Sequence, residues 1–310
     1  TRRYAVNGVF WDGVDGYRGS YLTAYNNGDY GIYAFASVSG QIDHSYASGS
    51  PDSGFYIGQC DPCKAVITDV VSENSQLGYS GTNASDVTIV NSVWRKNRIG
   101  IVPNSQDVEE LPPVKRNTIV GNVVYANDNL EAATAKNPLY DALVGSGIAM
   151  TGTHDSLVAR NRVYDHSWFG IVLAPFPSDR TLYTVERNKV IGNVVEGSGH
   201  ADLALVFSSP AQRNCFSGNT FKTSAPNRIE QRLPCTGTGI GGDLSPGAVS
   251  PDELLNRDEP EGKPFSEQPT PPEQQNMPNA SDAKPLPARA NVVPVKIDVD
   301  AIRVPARANP

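Results

Sequence analysis

A glycine followed by an apolar residue recurs at a nearly constant interval through the first two thirds of the chain. The pairs are Gly31-Ile32, Gly54-Phe55, Gly78-Tyr79, Gly100-Ile101, Gly147-Ile148 and Gly170-Ile171, with Asp202-Leu203 as a degenerate member. The first intervals are 23, 24 and 22 residues, and the later ones of 47, 23 and 32 residues leave room for a further unit or for inserted loops. A repeat of about two dozen residues cannot bury a core alone, so it predicts a solenoid of stacked units.

One unit, residues 86–103, shows how each coil is built. Apolar and polar residues alternate in three short strand-like pieces, and Asn or Gly separates the pieces. A second motif, R-N-x-[IVF]-x-G-N, occurs at Arg116–Asn122, Arg187–Asn193 and Arg213–Asn219. It predicts one shared corner that is occupied by Asn91, Asn122, Asn161, Asn193 and Asn219. We expect these asparagines to adopt the left-handed conformation that a corner needs and to hydrogen-bond from coil to coil.

These patterns predict an all-β fold, a right-handed parallel β-helix of about nine coils over residues 1–235. Residues 236–310 form a different region, since they hold 13 of the 24 prolines. In this Pro-rich extension, Ser250-Pro251 resembles a helix start and predicts a short helix near residues 251–257. Alternating apolar residues predict a strand near residues 292–304, which we expect to pack in the groove, on a neighbouring face of the β-helix or on a second chain.

Charge, hydropathy and cysteine content limit the function. A net charge of −7 argues against nucleic acid as a partner. No apolar run approaches the roughly 20 residues of a transmembrane helix. The four cysteines form two local pairs, Cys60 with Cys63 and Cys215 with Cys235, which predict two disulfides and an exported protein. No signal peptide precedes Thr1, so we expect the numbered chain to begin inside a longer precursor.

The insertions predict a groove over the strands that begin with the glycine pairs. Residues 102–115 and 174–184 follow that strand in two coils, and residues 128–146 precede it. The period of two places one row of side chains outward, into the groove: Tyr33, Tyr56, Ser80, Val102, Ala149, Val172 and Ala204. This row has no titratable acid or base other than tyrosine, so it lacks the groups that sugar chemistry needs. Tyr33 and Tyr56 are instead candidates for stacking on sugar rings, or they pack under a loop or the extension.

Histidines and neighbouring aspartates are the other candidates for chemistry. His154, Asp155, Asp165 and His166 are weak catalytic candidates if neighbouring loops bring them together. The two Asp-His-Ser boxes, at His44 and His166, lie at different distances from the next glycine pair, so they do not form a shared row. Counting from residues 86–103 places His166 beside Lys96, at a solvated corner.

The coil pattern resembles the right-handed parallel β-helix repeat family of exported bacterial proteins. That superfamily includes pectate lyases, mannuronan C5-epimerases and periplasmic proteins of the nitrous-oxide reductase maturation type. The epimerases carry Asp-Pro-His-Asp beside a tyrosine, whereas here Tyr56 is followed by Cys60-Asp61-Pro62-Cys63. The resemblance therefore implies the fold but not the proton-transfer group of the epimerases. Pectate lyases bind calcium through clustered aspartates, and the outward row has no such cluster, so we expect no cofactor and no metal site.

The sequence favours a non-catalytic exported module of the cell envelope that binds a glycan or acts as a scaffold. Its partner would be a polysaccharide or another envelope protein. The alternative is a polysaccharide lyase or uronate C5-epimerase whose catalytic groups come from the inserted loops. Carboxylates and basic groups clustered in the groove would favour the alternative.

Overall fold

A computed structural model describes residues 1–135, 138–207, 212–240, 243–282 and 294–308. The chain enters three parallel sheets in turn, and each strand pairs with the equivalent strand of the next coil. This architecture is the right-handed parallel β-helix that the repeat predicts. Sheet 1 has nine strands, in agreement with the predicted nine coils.

Within each sheet, neighbouring strands come from successive coils. Sheet 1 contains, from one end to the other, β1 (Asn7–Asp12), β4 (Tyr30–Phe35), β7 (Ser53–Gly58), β10 (Leu77–Thr82), β13 (Ile99–Asn104), β16 (Ile148–Thr151), β19 (Phe169–Ala174), β24 (Ala201–Leu205) and β26 (Ser224–Ala225). Sheet 2 contains β2 (Asp15–Ser20), β5 (Val38–Asp43), β8 (Ala65–Thr68), β11 (Val87–Val90), β14 (Thr118–Val120), β17 (Leu157–Ala159), β22 (Lys189–Ile191) and β25 (Cys215–Ser217). Sheet 3 contains β3 (Thr23–Tyr25), β6 (Tyr46–Ser48), β9 (Val71–Glu73), β12 (Val93–Arg95), β15 (Val123–Tyr125), β18 (Arg162–His166) and β23 (Val194–Ser198).

The remaining elements lie in loops and in the extension. A small hairpin joins β20 (Phe176–Pro177) to β21 (Leu182–Tyr183). The helices are α1 (Pro138–Asp141), α2 (Ile229–Arg232) and α3 (Pro251–Leu255), and α3 begins with a capping box between Ser250 and Glu253. Within the described ranges, single 3₁₀ turns lie at Phe265–Glu267, Ala280–Asp282 and Val299–Ala301. None of the described helices is long and apolar enough to cross a membrane.

The recurring glycines of sheet 1 are required by the close approach of successive coils. A Cβ atom on Gly100 would lie 2.3 Å from the carbonyl oxygen of Gly147, and one on Gly147 would lie 2.7 Å from that of Gly170. Gly31 and Gly78 meet the same obstacle in their own neighbouring coils, each at 2.5 Å. A side chain at this position would push the coils apart. The glycines recur in the sequence because this close approach recurs at each coil.

The inward and outward rows of sheet 1 agree with the predicted alternation. The six residues predicted to point inward lie in one continuous core inside the solenoid: Ile32, Phe55, Ile101, Ile148, Ile171 and Leu203. Four of the outward residues belong to a separate apolar cluster on the outer face: Val102, Ala149, Val172 and Ala204.

Asparagine side chains connect the coils at the corner between sheets 2 and 3. Asn122 donates its backbone N–H and its side-chain Nδ2 to Oδ1 of Asn161, at 2.9 and 3.0 Å. Asn161 does the same to Asn193, and Asn193 to Asn219, where Glu230 ends the series. The predicted ladder is therefore present over Asn122, Asn161, Asn193 and Asn219.

Two details of the ladder prediction are wrong. The left-handed residue is the one before each asparagine, as at Gly121 (φ 67°) and Arg160 (φ 51°). Asn91 is itself such a left-handed residue (φ 49°), and Ser92 takes the ladder position and accepts the N–H of Val70. A left-handed corner residue turns its own side chain outward, so the next residue is the one whose amide points along the helix axis.

The other two corners carry shorter ladders of the same kind. Asn188 accepts from the N–H of Ser156 and donates to Asn214 at the corner between sheets 1 and 2. At the corner between sheets 3 and 1, the N–H of Asn97 donates to Asn127, and the N–H of Asn127 donates to Nδ1 of His166 at 3.3 Å. His166 is thus a buried ladder residue in register with Asn127, not a solvated corner beside Lys96 as predicted. Burial lowers its pKa to about 4.

Inserted loops and the extension cover the outer face of sheet 1 from the fifth coil onward. Tyr140 and Leu143 from the α1 loop, Phe176 from the hairpin and Leu254 from α3 pack against the outward apolar row. The apolar outward row is therefore covered by the chain's own loops and α3, and residues 294–304, the described part of the segment near 292–304, do not belong to this apolar cluster.

The extension then runs back along the solenoid to its first coils and returns on another face. Pro260 accepts from Arg98, and Gln268 accepts from Asn26 at 2.7 Å. The predicted strand near 292–304 includes residues 292–293, which lie outside the described residues. Its described part, from residue 294, packs in cis on the outer face of sheet 2 through Ile297, Val299 and Ile302, and contains a 3₁₀ turn rather than a strand.

Both predicted disulfides are formed. Cys60 bonds to Cys63 at the corner that follows β7, and Cys215 bonds to Cys235 at the last coil. The second bond holds the segment that contains α2 against β25 at the end of the solenoid.

Replacing Asn161 by Ala tests the ladder. The change leaves the N–H of Asn122 and the carbonyl of Ile119 without their partner in a buried corner, so we expect a loss of about 2–4 kcal/mol in the free energy of unfolding. Chemical denaturation measures this loss against the exposed control Lys222→Ala. Equal midpoints for the two variants would contradict a stabilising ladder.

His166 predicts a pH dependence of stability. Its folded pKa lies near 4, below the unfolded value of 6.5, so the unfolded state binds the proton first and stability falls as pH drops from about 6.5 toward 4. Between pH 7 and pH 5 this costs about 2 kcal/mol. His166→Asn, which installs the residue found at 97 and 127, should remove that part of the pH dependence. An unchanged difference between pH 7 and pH 5 would mean that His166 does not contribute.

Docking of residues 294–308 depends on apolar contact with sheet 2. Ile302→Asp places a charge on the surface formed by Val90, Val120 and Ala159, so we expect amide exchange in 294–308 to become fast. Ala306→Asp, at an exposed position of the same segment, is the control and should leave exchange slow. Slow exchange in Ile302→Asp would show that the apolar contact is dispensable.

Candidate functional site

A stack of aromatic rings occupies the outer face of sheet 1 at the first coils, away from the part of the extension that the structure describes as packed on this face, which is α3. Phe10, Tyr33 and Tyr56 are register partners on β1, β4 and β7. The rings of Tyr33 and Tyr56 are stacked, with centroids 4.4 Å apart and planes 10° apart, and Phe10 lies 5.3 Å from Tyr33. Tyr30 packs against both tyrosines at 4.6 and 5.0 Å. Phe10 is 54% exposed, so the stack is open to solvent at the end of the solenoid.

Three carboxyl groups lie against these rings. Asp29 and Asp52 occupy the same position in two successive coils, each just before its sheet 1 strand, since the N–H of Asp52 donates to the carbonyl of Asp29 at 3.0 Å. Glu109 comes from the loop after β13, and its carboxylate accepts the hydroxyl of Tyr56. We call Tyr30, Tyr33, Tyr56, Asp29, Asp52 and Glu109 the tyrosine–carboxylate cluster.

Hydrogen bonds fix the loop that carries Glu109. Asn83 donates to the carbonyls of Gln106 and Glu109 at 2.8 and 2.7 Å and accepts from the N–H of Gln106. Asp107 accepts from the N–H of Arg180 and from the hydroxyl of Tyr183, which joins the loop to the hairpin. The position of Glu109 is therefore set by the solenoid and by a second inserted loop.

Burial raises the pKa of the carboxyl groups in the cluster. The pKa of Asp52 rises to about 7 because of burial and the neighbouring charge of Asp29. The pKa of Glu109 also rises to about 7, because burial outweighs the hydrogen bond from Tyr56. Burial raises the pKa of Asp29 as well. Asp52 and Glu109 therefore change protonation near neutral pH, which is typical of functional sites.

Acidic groups dominate the field inside the cluster. Asp29, Asp52 and Glu109 raise the pKa values of the surrounding tyrosines, and Asp12 adds to the effect on Tyr33. Two carboxylate oxygens, Oδ1 of Asp52 and Oε2 of Glu109, are buried without a hydrogen-bond donor. The arrangement places the exposed ring of Phe10 and the edges of the stacked rings beside the unsatisfied acceptors.

The histidines and aspartates proposed as catalytic residues are not brought together. His154 and Asp155 lie at the corner between sheets 1 and 2, where His154 contacts the carbonyl of Thr184 at 3.1 Å and Asp155 pairs with Arg187 at 2.7 Å. Asp165 and His166 lie at the corner between sheets 3 and 1 of the same coil. The two pairs are separated by β17 and most of β18.

Tyr33 and Tyr56 do lie together on the outer face, as the alternation predicts, and Tyr56 is almost fully buried beneath the loop that carries Glu109. Sequence reasoning missed the carboxylates around them. A signal was present, because Asp29 and Asp52 each stand two residues before a repeat glycine, and the insertion after β13 is acidic. The prediction considered only the outward row of the strands, and neither the Asp29 and Asp52 position nor the insertion after β13 belongs to that row.

The described residues contain no group of three or more His, Cys, Asp or Glu side chains arranged to hold a metal ion. All histidines, cysteines and methionines of the chain lie within the described ranges. All four cysteines form disulfides, so none is free to bind a metal ion. Met150 is buried in the core, and Met277 is exposed in the extension.

A second concavity lies at the far end of sheet 1. Its volume is about 400 Å³, and apolar side chains, among them Leu182, Phe207 and Leu254, form most of its lining. It has no carboxylate or basic group in its lining, so it lacks the polar contacts of the tyrosine–carboxylate cluster.

Similarity to solved structures supports the fold. The periplasmic alginate epimerase AlgG is 16% identical over 72% of this chain and 50% of its own, with a TM-score of 0.50. A mutant of AlgG gives 14% identity, 70% and 47% coverage and a TM-score of 0.51. The A-module of the Azotobacter vinelandii mannuronan C-5 epimerase AlgE4 is 16% identical over 70% of this chain and 64% of its own, with a TM-score of 0.46. The chain thus spans no more than about half the length of AlgG, and at these identities the likeness concerns the fold alone.

The chain matches no curated protein in sequence. A family model does match residues 3–232, the whole solenoid up to α2, and its description is "Periplasmic copper-binding protein (NosD)". The chain therefore belongs to the NosD family of exported β-helix proteins.

Proposed function

We propose that this chain is a non-catalytic glycan-binding module of the periplasm, and that the glycan lies on the tyrosine–carboxylate cluster. The observation that carries the proposal is the stack of Phe10, Tyr33 and Tyr56, which is open at the end of sheet 1 and flanked by buried acceptors. Periplasmic location is supported by the family match and the two disulfides.

Aromatic rings and carboxylates suit the two faces of a sugar. The C–H face of a pyranose packs on a tyrosine or phenylalanine ring, while its equatorial hydroxyls donate to acceptors at the edge of that ring. Here the strands of sheet 1 repeat the ring position from coil to coil, so successive rings are spaced along the solenoid axis. A chain of sugars crossing these coils would meet Phe10 and Tyr33 in turn, with Asp29 and Asp52 beside them.

A scaffolding role without a glycan is less well supported. The outward apolar row, which would be the natural surface for a protein partner, is already packed against the chain's own loops and α3. The surface of sheet 1 that this apolar cluster does not cover, at the first coils, has exposed aromatic rings above buried carboxylate oxygens without a donor. Oxygen acceptors of this kind favour a ligand rich in hydroxyl groups.

The rival proposal, a lyase or C5-epimerase, is favoured by one observation, the pairing of Tyr56 with Glu109 and the near-neutral pKa of Glu109. Both reactions remove the proton at C5 of a uronate, and the resulting charge on the uronate carboxylate needs a cation or strong donor beside it. After burial, the charged groups with the largest effects on the pKa values of Tyr30, Tyr33 and Tyr56 are the carboxylates of Asp12, Asp29, Asp52 and Glu109. The cluster therefore opposes that charge, which is why binding is preferred over catalysis.

Copper, which the family description names, is not assigned to this chain. Copper sites in proteins use histidine, methionine or cysteine ligands. In the described residues the four histidines are dispersed over the corners, with His44 stacked on Tyr21 and His200 tilted against Trp168, and the cysteines are disulfide-bonded. These residues do not fit a copper site.

Binding to an array of neutral, amino and acidic oligosaccharides tests the proposal. Phe10→Ala and Tyr33→Ala each remove a ring from the stack, so we expect about tenfold weaker binding for each variant. Phe207→Ala, which removes a similarly exposed ring (49%) at the far end of sheet 1, is the matched control and should bind normally. Thermal melting of each variant checks that the fold is kept.

Absence of binding to every glycan class, or equal binding by Tyr33→Ala and Phe207→Ala, would contradict the proposal. The same oligosaccharides are assayed for unsaturated sugar products and for inversion at C5. Turnover of a uronate that is lost in Glu109→Gln would establish the enzymatic alternative instead.

A further inference from the structure

We infer that the glycan bound at the tyrosine–carboxylate cluster carries free amino groups, so that its class is an amino-sugar polymer and not a uronate. This inference rests on the proposed function and narrows its ligand. It depends on the charge of the site, whereas the proposed function depends on the rings.

The first step is the number of acidic groups against one small surface. Asp29 and Asp52 approach from the corner between sheets 3 and 1, Glu109 from the loop after β13, and Asp12 from the end of β1. After burial, the charged groups with the largest effects on the pKa values of Tyr30 and Tyr33 are Asp29, Asp52, Glu109 and Asp12, all of them acidic. Four carboxyl groups from three different elements therefore act on the same rings, and no cation of the described residues has an effect of that size on the pKa values of these two tyrosines.

The second step is that two of these groups keep an oxygen without a donor. Oδ1 of Asp52 and Oε2 of Glu109 are buried and accept no hydrogen bond, although buried carboxylates ordinarily have partners. Gln76, which lies next to Asp52 in the following coil, is 2% exposed, and neither its Oε1 nor its Nε2 has a partner. A buried amide with both ends unsatisfied beside an unsatisfied carboxylate marks a place built for polar groups that the chain does not supply.

The third step is the chemistry that satisfies such a place. An ammonium group brings three N–H donors and a positive charge, so it pairs with carboxylates that are otherwise destabilised by burial and by each other. A hydroxyl group brings one donor and no charge. A uronate carboxylate brings a negative charge and no donor, and its burial beside Asp52 and Glu109 is unfavourable.

The burial of Glu109 and Asp52 also lowers the stability of the protein without a ligand. Glu109 and Asp52 are held at positions where their charged forms are disfavoured, and the hydrogen bonds that they accept do not outweigh the effect of burial. Groups that reduce stability are characteristic of sites where a ligand provides the missing interaction.

Titration calorimetry on the full chain tests the inference with three probes of equal length: a glucosamine hexamer, an N-acetylglucosamine hexamer and a mannuronate hexamer. The experiment is run in low salt at about pH 7, close to the pKa of about 7 of Asp52 and Glu109, so that ionised carboxylates and protonated amines are present together. We expect the glucosamine hexamer to bind about tenfold more tightly than its N-acetylated, uncharged counterpart, and the mannuronate hexamer to bind more weakly than both. The preference for the amine should shrink as salt is raised.

Charge-removing variants locate the effect. Glu109→Gln and, independently, Asp29→Asn should weaken binding of the glucosamine hexamer more than binding of the N-acetylglucosamine hexamer, so the preference for the amine becomes smaller. Glu110→Gln removes a neighbouring exposed charge and is the matched control, so it should keep the full preference.

Equal affinity for the glucosamine and N-acetylglucosamine hexamers, with ring variants still defective, would overturn this inference and leave the proposed function standing. Tightest binding of the mannuronate hexamer would also overturn it. Failure of all three probes to bind would overturn this inference, and the oligosaccharide array then decides whether the proposed function stands.

Discussion

The contact between one coil and the next is the interaction on which everything else in this molecule depends. In sheet 1, the backbones of successive coils approach so closely at the repeat glycines that a side chain there would clash. At the corners, a side-chain amide of one coil accepts a backbone N–H of the preceding coil, in line with the hydrogen bonds of the neighbouring sheets. In the Asn122–Asn219 ladder each Oδ1 accepts two N–H donors, and the backbone N–H of every ladder asparagine has an acceptor at the bend. With the spacing fixed in this way, side chains of equivalent residues repeat along the axis, and the outer rows become continuous surfaces.

The repeat made most of the fold predictable. Gly-apolar spacing and the R-N-x-[IVF]-x-G-N motif give the solenoid, its nine coils and its inward row because both depend on a fixed local geometry. The same logic failed by one residue at Asn91 and His166. Asparagine serves equally as the left-handed residue and as the ladder residue, which explains the error at Asn91. His166 was placed beside Lys96 by counting back from the repeat glycines, but four residues separate His166 from Gly170 and three separate Asn97 from Gly100, so the count is displaced by one at that corner. Single-residue register at a corner is decided by hydrogen bonds between coils, which a sequence pattern does not contain.

The candidate site was only half predictable for a related reason. Tyr33 and Tyr56 follow from alternation on strands, and the structure stacks them. Glu109 lies 53 residues from Tyr56 along the chain, and its position depends on Asn83 and on the contact of Asp107 with the hairpin. Loop side chains are placed by such non-local contacts, so no repeat reports them. The path of the extension could not be predicted either. Its apolar residues predicted docking, but the solenoid has an apolar outer face on sheet 1 and another on sheet 2. In the structure α3 packs on sheet 1, and residues 294–308 pack on sheet 2.

The extension has a consequence for how the solenoid behaves as a whole. In a simple repeat protein each unit touches only its neighbours, so ends can fray while the middle stays folded. Here one strap ties Asn26 in the first coils to Gln268, and farther along the chain the same strap ties Arg160 and Arg162 in the later coils to Val299 and Pro305. Early and late coils thus share one tether, and opening either end disturbs contacts of the other. The strap converts a linear array into a clamped unit, and since its residues are synthesised after those of the solenoid, the first coils gain this protection only once the extension has been made.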